Sequence, residues 1–380
     1  MIDPRLERLA RVLVQYSVKV RRGDVVRIKG ATVCEPLVAA LYREILEAGG
    51  HPVVRLTAEA CEEILLKRGK PHQLRRLDAF DLAEMQQVDG YIGIWGSDNT
   101  RALSNVDPRR QAMRQTASRP ILDTLLTRAA AKKDRLRWVG TQYPCAASAQ
   151  DAEMSLAEYA DFVFEAGLLH LRDPVAAWRK LSAAQQKLAD RLEKARVIRV
   201  TAPGGTDIRF GVRGRRWINC DGENNFPDGE VFTGPIEDAT EGEVRFNFPA
   251  VHGGREVCDV RLKFSGGRVV DASATKGEDF LFKMLDQDAG ARVLGELAIG
   301  TNYAVRRFTR NTLFDEKIGG TFHMALGAAY PESGGRNESA LHWDLVCDLR
   351  KGGVIEADGK PIYRDGRFLR ADFPQPAGRA

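Results

Sequence analysis

The apolar residues of this chain follow two rhythms. In the first half, short apolar runs alternate with longer stretches of helical period. VVRIKG (25–30), HPVVRL (51–56), DGYIGIWG (89–96) and LRWVG (136–140) read as strands. Between the first two, CEPLVAALYREILEAGG carries Leu37, Ala40, Leu41 and Ile45 at helical spacing and stops at Gly49-Gly50. Another helical stretch spans roughly Pro108 to Ala131. This alternation predicts an α/β domain, a mostly parallel sheet with flanking helices. From Ser155 to Arg196 the pattern is helical, with a break at Asp173-Pro174. Ser155 and Glu158 have capping-box spacing, and Asp173 before Pro174 suits the start of a new helix.

After Arg196 the rhythm changes to alternation. VIRVTAPGGTDIRFGV and VCDVRLKFSGGRVVDASA read as strands joined by glycine turns. Val260, Leu262 and Phe264 alternate with Arg261 and Lys263, and Ser265-Gly266-Gly267 turns the hairpin. The expected organisation is an N-terminal α/β domain over 1–195 and a C-terminal α+β domain over 196–370. The proline- and glycine-bearing tail, 371–380, has little apolar content and is expected to be mobile. No internal repeat is visible.

Composition narrows the class. The 380 residues allow two domains, and 43% apolar content is ordinary for a globular protein. The net charge of +5 is spread over a background of 29% charged residues, so a nucleic-acid surface is not expected. No run is long enough for a membrane helix, and MIDPRLERLA lacks the apolar core of a secretory signal. The six cysteines form no CxxC pair, which fits reduced thiols in the cytoplasm. No GxGxxG or GxxxxGK[ST] follows a strand, so no nucleotide site is read.

The chemistry gathers in the second half. If ALHWDLVCD is a strand, His342 and Asp344 share one face while Trp343 and Leu345 pack on the other. Imidazole and carboxylate are ligands for zinc, cobalt, manganese or iron; alone, the pair reads first as an ion pair or hydrogen-bonded pair at a strand surface. His323, in GGTFHMALG, completes a set of two histidines and one carboxylate. Glu230 in NNFPDGEVFTGP, Glu296 in ARVLGELAIGTN and Glu316 in LFDEKIGG each lie among glycine and apolar residues. Taken singly, each could be a loop carboxylate facing water.

Together, TDIRFGV, NFPDGEVFTGP, GELAIGTN, LFDEKIGGTFHMALG, AAYP and HWD resemble the M29 family of metallopeptidases, the thermophilic-type aminopeptidases, and they occur in the family's order. The upstream stretch SLAEYADFVFEAG also resembles it, whereas the N-terminal third matches only in its α/β rhythm. The resemblance implies an aminopeptidase acting on peptides with a free N-terminus. It implies two divalent metal ions per chain, Zn²⁺, Co²⁺ or Mn²⁺, held by Glu230, Glu296, Glu316, His323, His342 and Asp344, with water activated by both ions. Glu296 or Glu316 would be the general base, and Tyr330 would donate a hydrogen bond to the developing oxyanion. It also implies a homodimer. The segment between His323 and His342 is shorter than in better-known bacterial members, so substrate preference is not carried over.

Elementary electrostatics supports a metallated cluster. Four carboxylates gathered together repel one another, and two dications carry the charge that offsets them. A second expectation uses fewer ligands: His323, His342 and Asp344 alone could hold one Fe(II), as in ring-cleaving dioxygenases that resemble this family.

Overall fold

The computed structural model describes residues 3–376. The chain divides into two compact units. The first comprises Met1–Val175 with Gly222–Pro227, and the second comprises Ala176–Asp221 with Asp228–Ala380.

The first unit is built on a parallel sheet, as the strand–helix rhythm predicts. Its order is His51–Thr57, Val25–Ala31, Gly90–Trp95, Arg137–Gln142 and Asn225–Phe226, and the neighbouring strands run parallel. The helix Glu35–Glu47 buries Leu37, Val38, Ala40, Leu41 and Ile45 along one stripe. It stops where Gly49 takes a φ of 81°, a left-handed conformation that favours glycine. The later helix Leu156–Ala166 starts on the anticipated capping box. The Ser155 hydroxyl accepts from the Glu158 N–H, and the Glu158 carboxylate accepts from the Ser155 N–H.

The second unit holds two main antiparallel sheets beside a two-stranded antiparallel ribbon, Ala250–His252 with Arg255–Val257. The larger runs Arg268–Ser273, Val260–Ser265, Thr240–Phe246, Thr206–Gly211, Val197–Ala202, Val354–Ala357, Lys360–Arg364 and Arg367–Phe368. Val260, Leu262 and Phe264 are buried and their odd-numbered neighbours exposed, so the sequence alternation is the sidedness of a half-covered sheet. The smaller sheet is ordered His342–Asp348, Thr321–Gly327, Leu294–Gly300, Glu230–Thr233 and Ile218–Cys220. Leu297, Ile299, Phe322, Met324, Leu326, Trp343 and Leu345 join Ile208, Phe210, Val244, Leu262 and Phe264 in one core. The helix Pro174–Leu192 adds Leu188, Ala189 and Leu192 to that core.

The small sheet differs from the large one in a way that matters for chemistry. Leu294–Gly300 and Thr321–Gly327 are buried at every residue, on both faces. One face fills the core. The other carries Glu296 and His323, alternating with Leu297, Phe322 and Met324, and polar groups are costly to bury unless partnered.

Of the tail, residues 371–376 are described. Phe373 is buried and its ring meets Phe368, while 377–380 lie outside the described residues. No helix among the described residues is long and apolar enough to cross a membrane.

Trp343 is 1% exposed on the core face, with its ring against Phe280 and His252. Trp343→Ala is expected to cost about 3–5 kcal/mol of stability. Urea unfolding measures that loss. Metal content per folded chain should stay unchanged, because the side chain points away from the His342 face.

Candidate metal centre

The register of the small sheet assembles the cluster. Ala298 pairs with His323, Glu296 with Ala325, and Ala325 with Asp344. Glu230 pairs with Gly300 at the start of its strand. Small residues therefore lie between the functional ones, leaving room for long side chains to converge on one face. The strand order brings together positions as distant in sequence as Glu230 and Asp344.

The start of the Glu230 strand is fixed from below. The Gln185 side-chain amide, fully buried, donates to the carbonyls of Glu230 and Cys220, both at 2.9 Å. Just before it, Gly229 has a φ of 125°, and a Cβ there would lie 2.6 Å from the Asn302 Cβ. Asn302 in turn donates its amide to the Asp228 carbonyl at 2.8 Å. A side chain at 229 would push this turn, and Glu230 with it, out of place.

All six candidate ligands meet on this face. His323 Nε2 lies 3.2 Å from Glu230 Oε2 and 3.4 Å from Glu296 Oε1. His342 Nε2 lies 3.7 Å from both Glu296 Oε2 and Asp344 Oδ1. The His342 ring is oriented by its other nitrogen, Nδ1, which is 2.9 Å from the Ala328 carbonyl. Glu316, just after the short helix Thr312–Asp315, closes the cluster from a loop. Ligand atoms of Glu230, Glu296 and His323 lie within 4.8 Å of one another, as do those of Glu296, His342 and Asp344, and those of Glu316, His323 and Asp344. Glu296 belongs to two of these groups, one with each histidine.

Glu230 Oε2, Asp344 Oδ1 and both His323 nitrogens are buried without a hydrogen-bond partner. They are close to one another, yet their geometry is not that of hydrogen bonds. Buried polar atoms left this way call for a missing partner, and imidazole nitrogen with carboxylate oxygen is the donor set that a divalent cation of the zinc class takes. The residues fit such an ion.

Two further charged groups complete the cluster, and the sequence reading passed over both. Lys317 is 2% exposed, and its Nζ lies 2.5 Å from Glu230 Oε1, 2.7 Å from Glu316 Oε1 and 3.4 Å from Asp228 Oδ1. Asp228 is equally buried. A signal was present: Asp228 stands two residues before Glu230, and Lys317 directly follows Glu316 in a run of glycine and apolar residues. Lysine is rarely fully buried without a partner.

The electrostatics follows from this arrangement. Burial opposes ionisation of Glu230, but Lys317 and His323 outweigh it and bring its pKa down to about 2. Burial raises Glu316 well above the carboxylate range and raises Glu296 as well, the latter with help from Glu230 and Asp344. Burial disfavours the charged form of His323, yet Glu230 and Glu296 hold its pKa well above the usual value. His342 is raised for the same reason by Asp344 and Glu296. Tyr330 sits beside this face, its ring 5.1 Å from His342 and 5.5 Å from Phe232. It is 44% exposed, but partial burial and then the carboxylates raise its pKa, so the phenol keeps its proton.

Comparison with known proteins bears on this cluster. A sequence model of the family described as thermophilic metalloprotease (M29) matches residues 2–368. Aminopeptidase 2 of Geobacillus stearothermophilus is 29% identical over 413 residues, covering 96% of this chain and 98% of the relative. Aminopeptidase T of Thermus aquaticus is 33% identical over 240 residues, 54% of this chain and 58% of the relative. Among solved structures, wild-type AmpT from Thermus thermophilus superposes with a TM-score of 0.83 at 24% identity, covering 97% of this chain and all of that one. A 2,5-dihydroxypyridine dioxygenase from Pseudomonas putida KT2440 shares the fold more distantly, with a TM-score of 0.61 at 13% identity over 97% of this chain and 98% of that one.

The raised histidines make a prediction about cation binding. A ligating imidazole must be neutral, and here the carboxylates hold His323 and His342 in the protonated form beyond the usual pH. Binding of Zn²⁺ or Co²⁺ at pH 7 should therefore release protons, and affinity should fall as pH is lowered. Titration calorimetry in buffers of different ionisation enthalpy reads the proton count. A heat independent of buffer would contradict it.

Proposed function

The chain belongs to the M29 family of thermophilic metalloproteases, and on that basis we propose that it is an aminopeptidase with two divalent metal ions. Its substrates are peptides with a free N-terminus, from which it removes the first residue. Glu230, Glu296, Glu316, His323, His342 and Asp344 are the proposed ligands, with Zn²⁺, Co²⁺ or Mn²⁺ as the ions. One observation carries the two-metal reading: Glu296 joins two ligand groups, turning one oxygen towards each histidine. A carboxylate shared in this way suits two neighbouring cations.

When bound, such ions polarise the scissile carbonyl and lower the pKa of an attacking water. The protein's own groups supply the rest. Glu296 lies between both histidines, which suits a bridging ligand. Glu316 is the better general base. Its side chain is 16% exposed against 6% for Glu296, and one of its oxygens is committed to Lys317, which leaves the other to accept a proton. A cavity of about 20 Å³ lies beside Glu316 and Asp344, room for a single water. The protonated Tyr330 phenol donates a hydrogen bond to the oxygen on which charge develops. The substrate's free amine would be received by a bound ion or by a carboxylate the ions leave free, which selects for an N-terminus.

The single-iron alternative is not favoured. His342 and Asp344 group with Glu296, and His323 and Asp344 group with Glu316, so each histidine meets Asp344 alongside a glutamate that the alternative leaves out. We further propose that the enzyme works as a homodimer in the cytoplasm. The free cysteines suit a reducing compartment, and sedimentation tests the dimer.

EDTA should abolish release of free amino acids from short peptides, and Zn²⁺, Co²⁺ or Mn²⁺ should restore it. Cleavage that survives chelation would refute the proposal. His342→Ala should lower bound metal from two ions towards one and reduce kcat/KM by more than about a hundredfold, beyond the usual cost of losing a residue behind a ligand. Metal analysis and initial rates on an aminoacyl-substrate panel provide both readings.

A further inference from the structure

We propose that Lys317 is a permanent internal cation of the metal centre, standing where a third metal ion could otherwise bind and compensating the buried carboxylate of Asp228. The inference rests on the two-metal reading above and adds to it. The six proposed ligands are not the whole charge of the cluster. Asp228 adds a fifth carboxylate to the four among the ligands; it is buried like Glu230 and Glu296, while Glu316 and Asp344 are partly buried. Five carboxylates exceed what two dications offset by one negative charge. The Lys317 ammonium supplies that one positive charge.

The geometry agrees with the count. Lys317 Nζ contacts Asp228 Oδ1, Glu230 Oε1 and Glu316 Oε1, at 3.4, 2.5 and 2.7 Å. Glu230 Oε2, the other oxygen of that carboxylate, is the one left without a hydrogen-bond partner and turned to His323. Lys317 therefore holds the outer oxygen and leaves the inner one for the metal. On the same side, Cys220, Asp228 and Glu230 place ligand atoms within 4.8 Å of one another, a group able to hold a cation. The ammonium serves that group already. Lys317 acts on the centre through its charge and does not touch substrate.

The test is a charge cycle read by metal affinity, not by turnover. Zn²⁺ dissociation constants are measured at pH 8 by chelator competition for the full chain, for Asp228→Asn, and for Asp228→Asn combined with Lys317→Met. Asp228→Asn leaves the ammonium uncompensated and should weaken Zn²⁺ binding about tenfold or more, the direction and scale expected of one added net positive charge near a dication. The double variant restores the balance and should bind within about threefold of the unmodified protein. Affinity unchanged in Asp228→Asn overturns the proposal, and so does a double variant as weak as Asp228→Asn.

Lys317→Met alone leaves the cluster short of a cation, so its metal-free form should melt below that of the double variant. Should it fail to fold, recovery of folding in the double variant supports the charge relation. A double variant that fails to fold while Asp228→Asn folds overturns it. Failure of the two-metal reading is separable: it would appear as a stoichiometry other than two in the unmodified protein, whereas the charge relation is read in ratios between variants.

Discussion

Carboxylates cannot be gathered in a buried place unless cations are gathered with them. Asp228, Glu230, Glu296, Glu316 and Asp344 converge at one face of a small sheet, three from its strands and two from adjoining loops, and most are almost wholly shielded from water. Burial raises the pKa of Glu296 and Glu316, the expected response of groups too close to like charges and too far from solvent. Lys317 and the two histidines relieve part of that repulsion. The unpartnered oxygens and nitrogens mark where the relief is incomplete and where divalent ions fit.

The sheet makes this concentration structurally tolerable. A strand with one wet face could keep its acids in water. Leu294–Gly300 and Thr321–Gly327 have no wet face, so their functional residues must be satisfied by one another, by neighbouring loops or by a bound ion. The opposite face packs Leu297, Ile299, Phe322, Met324 and Leu326 into the core. The side chains that hold the fold and those proposed for the chemistry thus alternate along the same strands. Rigidity in the first set fixes the positions of the second, as a metal site needs if its ligands are to keep their spacing.

Much of this was legible in the chain. The strand–helix rhythm of the first half gives the parallel sheet, and the capping box at Ser155 starts its helix where expected. The period of two in VRLKFS gives the sidedness of the larger sheet. The spacing of His342 and Asp344 placed both on one face, since a strand repeats every two residues. Glycine-flanked glutamates flagged Glu230, Glu296 and Glu316, and the structure brings all three beside His323 and His342. Lys317 escaped notice because a lone lysine in a loop reads as a solvated surface group. Nothing local says that its ammonium is buried. Asp228 escaped for the same reason, as an ordinary turn residue before a glycine.

Local pattern therefore determined which segments are strands and helices, which faces they present, and which residue types could bind a metal. Those properties depend on periods of two and 3.6 and on side-chain chemistry, all carried by neighbours in sequence. Tertiary structure alone decided which carboxylates share a cation, that Glu296 stands between both histidines, and that Lys317 balances Asp228. Those properties depend on strand order, register and burial, because charges separated by most of a domain in sequence interact only when the sheet sets them a few ångströms apart and excludes the water that would otherwise screen them.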